Sequence, residues 1–297
     1  MPDRIVTATA PDGSFSIVAG ITTALVGETQ RRHAMAPTAI AAVGRLTTGA
    51  ALLGASLKGR EKLTLQVASD GPIRGLVADV GLNSPEEIGA RGYARRPEVD
   101  VPLNDLGKFD VGTAVGSGYL QVTRSFEIGQ PYVGIVELTS GEIGDDIAAY
   151  LMTSEQIPSV VALGVLAYPA GIKAAGGVIA QVLPGADDRT IAELERRALT
   201  MPSVTGQIDA GADAHDLARA LGGSLEMRFT RSYDVAFTCT CSLERVERAL
   251  LGLGRDELEK MARDEPQTEA LCEFCKTAYV LTNDDIRCLI DRLPAQG

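Results

Sequence analysis

The chain contains no tryptophan, and aromatics reach only 4% of its 297 residues. Its core must therefore be built from Ala, Val, Leu and Ile, and a hydrophobic content of 45% is enough for a sizeable one. Positive charge is scarce: 28 Lys and Arg stand against 39 Asp and Glu, a net charge of -11. So acidic a chain repels phosphate backbones, and no long Lys/Arg run offsets this, so no nucleic acid partner is expected. Histidine is nearly absent, with only His33 and His215. A catalytic triad needs a positioned histidine. His33, at a predicted helix end beside Arg31 and Arg32, reads better as a helix C-terminal cation. Residues 1–10 carry Asp3 and Arg4 and lack the apolar run of a signal peptide. Residues 36–57 are apolar enough to resemble a membrane span, but Arg45 lies near their middle. A charge at that depth costs roughly 2.5–3.5 kcal/mol on insertion scales. A buried core helix, no membrane contact and a cytoplasmic location are the expectation.

Nor is there a phosphate-binding fingerprint. Gly112, Gly116 and Gly118 lack the strand–loop–helix spacing that cradles a nucleotide. Glu142, Asp145 and Asp146 offer paired carboxylates, but a solvated helix N-terminus accounts for acidic residues there.

What the chain does have is organisation. Its length fits roughly two domains at ~100–200 residues each. Residues 4–9 and 14–19 are β-rich runs around Pro11-Asp12-Gly13, a hairpin signal. A helix follows to about His33, and Pro37 opens the long apolar one. Residues 62–68 alternate, turn at Asp70-Gly71 and continue as 73–80. Strands are predicted over 119–126 and 132–139, and a helix over 142–156. Two more strands, 160–167 and 176–183, turn near Gly171. Strands mixed with a few helices predict an α+β core domain over 1–184.

Composition shifts near Pro184. Residues 187–197 and 213–221 read as short amphipathic helices, the first with Thr190 and Glu193 as a capping box, and residues 202–214 as loop. Isolated helices shorter than ~12–15 residues are marginal in water. Residues 185–238 are thus a helical, metastable linker that depends on its neighbours.

All 5 cysteines fall after position 238. The cytosol keeps thiols reduced, so a cluster there points to metal or redox chemistry rather than standing disulfides. Cys239-Thr-Cys241 is followed by thirty residues and then Cys272-Glu-Phe-Cys275. Two short pairs of soft ligands suit a tetrahedral zinc ion, with iron the alternative on ligand type alone. With all four bound, no position stays open for hydrolysis. Ser242 and Asn283 are candidate caps for flanking helices, and Ile286, Leu289, Ile290 and Leu293 share one face of the last. Cys288 points away from that face. Residues 239–297 hold few core side chains, so this small unit needs the metal as a staple.

Stretches along nearly the whole chain carry a family pattern. In the first domain these are Thr22-Thr23-Ala24-Leu25-Val26, Arg32-His33, Arg91-Gly92-Tyr93 and Gly141-Glu142-Ile143. They continue with Ser154-Glu155-Gln156-Ile157-Pro158-Ser159, Leu163-Gly164-Val165, and Ala174-Ala175-Gly176-Gly177 leading to Gln181. In the tail they are Cys239-Thr-Cys241-Ser242, Glu244-Arg245-Val246, and Cys272-Glu-Phe-Cys275 with Tyr279. In these the chain resembles the bacterial redox-regulated holdase chaperones of the 33 kDa chaperonin family (heat shock protein 33). The resemblance implies a reduced, zinc-bound, inactive form and no enzymatic activity. It also implies disulfides Cys239–Cys241 and Cys272–Cys275 on oxidation, with zinc release, linker unfolding and homodimerisation. ATP-independent capture of unfolding client proteins would follow, as part of a stress response. Ile191, Leu194, Leu217, Leu221, Leu225, Met227 and Phe229 are candidate client contacts, packed onto the core while the protein is reduced. Cys288 is no part of the pattern. Two other readings stay open: a zinc-ribbon-like binding module without redox function, and a thiol oxidoreductase. The second lacks the βαβ context expected around Cys272-x-x-Cys275.

Overall fold

The computed structural model describes residues 2–168, 170–264 and 266–293. The fold is α+β, in two compact units, Met1–Thr238 and Cys239–Gly297.

The first unit opens with the hairpin β1 (Arg4–Thr9) and β2 (Phe15–Ile21). Its turn has Gly13 at φ +79, with Asp12 accepting the Ser14 N–H. Helices α1 (Thr23–His33) and α2 (Pro37–Gly54) follow, then the meander β3 (Lys62–Ser69), β4 (Gly75–Ser84) and β5 (Glu87–Ala94). A short α3 (Val111–Val115) precedes β6 (Gly118–Ser125) and β7 (Tyr132–Glu137). Next come α4 (Gly144–Ser154), β8 (Ser159–Tyr168) and β9 (Gly171–Val182). Then α5 (Asp188–Thr200), α6 (Val204–Asp209) and α7 (Ala214–Gly222) lead into β10 (Arg228–Phe237).

Among the described residues these ten strands form one sheet, ordered β7-β6-β3-β4-β5-β10-β1-β2-β9-β8. Neighbours pair antiparallel, except that β10 runs parallel to β5. The apolar stretch around Arg45 is the central core helix, as its composition predicts. Nearly every residue of α2 is buried, Pro37 sits at its start, and it packs on β4, β5, β8 and β9. Arg45 pairs with Glu142 and also donates to the Glu142 carbonyl at 3.3 Å. A largely covered cation is tolerated when it is paired in this way. Among the described residues no helix is long and apolar enough to cross a membrane.

Residues 185–238 lie within this first unit. Leu194, Leu217 and Leu221 are buried, packed with Val6, Ile17, Ala19 and Val178 of the sheet. Leu225 and Met227 pack more loosely on the same cluster, and Phe229 stays exposed. Three features of this segment differ from the sequence expectation, one being that Arg228–Phe237 is strand β10 rather than helical linker. Residues 202–214 are not all loop: Ser203 accepts the Gly206 N–H and starts α6. The cap of α5 is Asp187, accepting from Thr190 N at 2.8 Å, rather than a Thr190–Glu193 box.

Glu193 does something else. It accepts from Arg196, from Arg197, and from the Ser224 N–H beyond the end of α7. One carboxylate thereby ties α5 to the turn that leads into β10. The Arg196 guanidinium, then the Ser224 amide, hold its carboxyl down at about 2, against an ordinary value of 4.5. A depressed carboxyl stabilises the fold above its unfolded value, and that contribution is lost as pH falls through its folded one. Pepsin cleavage within residues 188–224 is therefore expected to rise as pH drops from 4.5 towards 2. In Glu193→Gln the same cleavage should already be raised at pH 4.5 and rise less steeply below it, since the caps Asp187 and Asp213 still titrate there. Matching profiles for the two proteins would refute the role.

The second unit contains α8 (Leu243–Leu251), α9 (Arg255–Asp264), β11 (Gln267–Leu271), β12 (Ala278–Thr282) and α10 (Asn283–Asp291). β11 and β12 make a two-stranded antiparallel sheet. The core is small: Leu250, Leu258, Leu281, Ile286, Leu289 and Ile290. Ser242 caps α8, as expected. The cap of α10 is Thr282 rather than Asn283, in a reciprocal box with Asp285. Cys288 is exposed, as its place on the helix predicts.

Candidate metal centre

The second cysteine pair is built by a hairpin. β11 and β12 pair as far as Leu271 with Ala278, which leaves residues 272–277 as the connecting turn. Within it the Cys272 N–H donates to the Thr277 carbonyl at 2.9 Å, and the Lys276 N–H donates to the Cys272 carbonyl at 2.8 Å. Lys276 takes a left-handed φ of +58 to close the turn. The first pair arrives differently. Cys239 and Cys241 immediately precede Ser242, the cap of α8, and Thr240 accepts from Arg245 at 2.7 Å.

The hairpin and the segment before α8 bring four sulfurs together. The Sγ atoms of Cys239, Cys241, Cys272 and Cys275 all lie within 4.8 Å of one another. The short approaches run between the two pairs: Cys239 to Cys272 at 3.7 Å and Cys241 to Cys275 at 3.4 Å. All five cysteines are free thiols. A tetrahedral zinc–thiolate site with Zn–S near 2.3 Å has sulfurs roughly 3.8 Å apart, so this donor set and spacing suit a zinc-sized ion.

The electrostatics of the thiols bear on whether a cation is needed. Burial pushes the Cys241 and Cys272 thiols up. At Cys275 burial acts in the same sense, but hydrogen bonding to the Thr277 side chain and backbone outweighs it, and the thiol falls to about 6. Without a cation, the Cys275 thiol is eased towards ionisation while burial opposes it at Cys241 and Cys272. Four thiolates this close require a positive ion among them.

Two residues not predicted as site members touch the cluster. The Tyr279 hydroxyl donates to Cys241 Sγ at 3.1 Å, and Thr277 Oγ1 lies 3.2 Å from Cys275 Sγ. Their place in the sequence is the signal: they stand two and four residues after Cys275.

The other candidates are structural. His33 is buried at the end of α1, and His215 stacks edge-on to Phe229 near Asp213. The acidic triplet is not simply solvated. Asp146 is buried and accepts the N–H groups of Thr139, Ser140, Gly141 and Ile143. Glu142 is the partner of Arg45, and only Asp145 fits the solvated reading.

A family model described as Hsp33 protein matches residues 3–282. The chain belongs to the Hsp33 family. The 33 kDa chaperonin of Bacillus subtilis is 41% identical over 98% of this chain and 99% of its own length. That of Ruminiclostridium cellulolyticum is 39% identical, with 98% of each chain covered. The crystal structure of the 33 kDa chaperonin (HSP33) from Thermotoga maritima superimposes with a TM-score of 0.88 at 32% identity, covering 98% of both chains. Hsp33 is a chaperone family, and the relatives named above are chaperonins. Within an Hsp33 chain the four-sulfur cluster has a setting that a bare cysteine count lacks: a small second unit and a segment packed on the sheet just before it in sequence.

Proposed function

We propose that this chain is an ATP-independent holdase chaperone of the cytoplasm, inactive when reduced and switched on by oxidation of Cys239, Cys241, Cys272 and Cys275. The observation that carries the reading is the convergence of those four sulfurs within 4.8 Å in a unit with a very small core, in a chain of the Hsp33 family.

When bound, zinc holds all four sulfurs as thiolates and cross-links the two arms. The residues themselves supply the switch. Each adjacent pair, Cys239–Cys241 and Cys272–Cys275, gives two electrons to one peroxide. An S–S bond forms, the O–O bond breaks, and with two protons from solvent two waters leave. Sulfurs in a disulfide no longer ligate. The second unit loses its staple, and helices α5 to α7 of the metastable segment then come away from the face of the sheet, with β10 staying paired. Leu194, Leu217 and Leu221, now buried, become available to unfolding client proteins together with the strands they cover. Burying them in the reduced state avoids a permanently exposed patch, which invites aggregation. Dimerisation of the activated chain would protect the rest of that surface.

The test is peroxide treatment of the reduced, zinc-loaded protein at heat-shock temperature. Metal release, thiol count and suppression of a client's aggregation are followed together. Four thiols lost, zinc released and suppression gained in step are expected. Equal suppression by the reduced protein would sink the switch. Zinc release with no gain in client binding would favour a zinc-ribbon-like binding module.

A further inference from the structure

The two arms of the cluster are held unequally. The hairpin closes the Cys272–Cys275 turn with its own backbone, through the Thr277 carbonyl and the Lys276 N–H. Cys239 and Cys241 lie outside any strand or helix. Tyr279 spans the gap. It belongs to β12, the strand leaving the second arm, yet its hydroxyl reaches Cys241 of the first at 3.1 Å. This bond joins the two arms without passing through a metal.

We infer that Tyr279 is a positioning residue for Cys241, tethering the Cys239–Cys241 arm to the β11–β12 hairpin and thereby setting how tightly metal is held. The inference rests on the metal-centre reading above. A metal-bound Cys241 is a thiolate and only accepts, so the phenol O–H is the donor, in a charge-assisted bond. Such a bond does two things. It restrains the sulfur where the other three converge, and it draws electron density from it. Both oppose departure: the first favours ligation over solvent, and the second makes the sulfur a poorer nucleophile towards an oxidant. Thr277 cannot substitute, because its hydroxyl sits against Cys275, on the same arm as itself. Loss of a hydrogen-bond partner just outside a ligand shell typically weakens metal binding by ~10–100-fold.

The experiment uses the full-length reduced chain and Tyr279→Phe, which keeps the ring and removes only the donor. Zinc affinity is measured by competition with a chromogenic chelator, and the cobalt-substituted forms are compared by absorption. Tyr279→Phe is expected to weaken zinc binding by ~10–100-fold. Its thiolate-to-cobalt charge-transfer band should move to lower energy, because an undonated sulfur is richer in electrons. The ligand-field bands of tetrahedral cobalt should stay in place. A pure packing role would leave the charge-transfer band unmoved. Affinity within about twofold of the parent would overturn the inference. So would a variant that takes up no metal at all, because one hydrogen bond does not account for so large a loss. Failure of the parent chain itself to bind cobalt or zinc would instead overturn the metal centre, and this inference with it.

Discussion

Replacing Cys275 with Ser, or stripping metal from the reduced protein with a chelator, is expected to unfold the second unit while the ten-stranded sheet persists. Cys275 is the most buried of the four sulfurs. The unit's core amounts to six buried aliphatic side chains and a two-stranded sheet. Two strands alone are marginal in water, and units this small usually need a staple. Structural zinc supplies ~10–16 kcal/mol of apparent binding energy in finger peptides. An entire domain has only ~5–15 kcal/mol of stability, so the metal outweighs what so small a core can provide. Amide spectra give the readout. Signals from Ala278–Thr282 should collapse to unfolded positions on chelation and return when zinc is restored to the parent chain, but not to Cys275→Ser. The first unit's strands should be unmoved. A second unit that keeps dispersed signals without metal would show that its own core suffices, and the staple argument would fail.

Leu217→Ala should release the preceding segment without any oxidant. Leu217 is fully buried in α7, on the face of β1, β2 and β9. Truncating a buried leucine costs ~2–5 kcal/mol, from lost transfer energy and the cavity left behind. At about 1.4 kcal/mol per tenfold, that multiplies the detached population by roughly 30–4000. α7 has nine residues, too few to hold its place by helix propensity. Hydrogen exchange in Ala214–Gly222 should accelerate within that range. The reduced, zinc-loaded variant should then suppress client aggregation that the parent allows. Unchanged exchange would contradict the packing argument. Faster exchange with no gain in holding would move the client surface away from what this segment covers.

The loosened segment is also where reading from the sequence failed most. β10 lies in the stretch that reads as linker, and only Tyr233 and Val235 of it are buried. It is a strand because β1 and β5 each offer it an edge. Pairing on both sides decides its conformation, not its side chains. β5 was missed for a related reason. Glu87–Ala94 contains Gly89 and Gly92, which blur its alternation. Gly92 lies so close under α2 that a Cβ there would strike the Thr47 hydroxyl. A residue that weakens the strand pattern is thus what lets the core helix approach.

Elsewhere local chemistry sufficed. Turn residues at Pro11-Asp12-Gly13 and Asp70-Gly71, Pro37 at a helix start, and apolar spacing in the last helix specify their elements through steric and hydrogen-bonding preferences within a few residues. The same holds for the ligand set, since two tight cysteine pairs can be read without knowing where they meet. Their meeting depends on residues far apart in sequence. Sulfurs more than thirty positions apart approach to 3.4 and 3.7 Å, and Tyr279 of one arm reaches Cys241 of the other. The position of β10 and the burial of Leu217 under a sheet completed by β9 are decided the same way. Local pattern carries φ/ψ preference and amphipathicity, whereas pairing partners and the donors around a sulfur exist only once distant segments have come together.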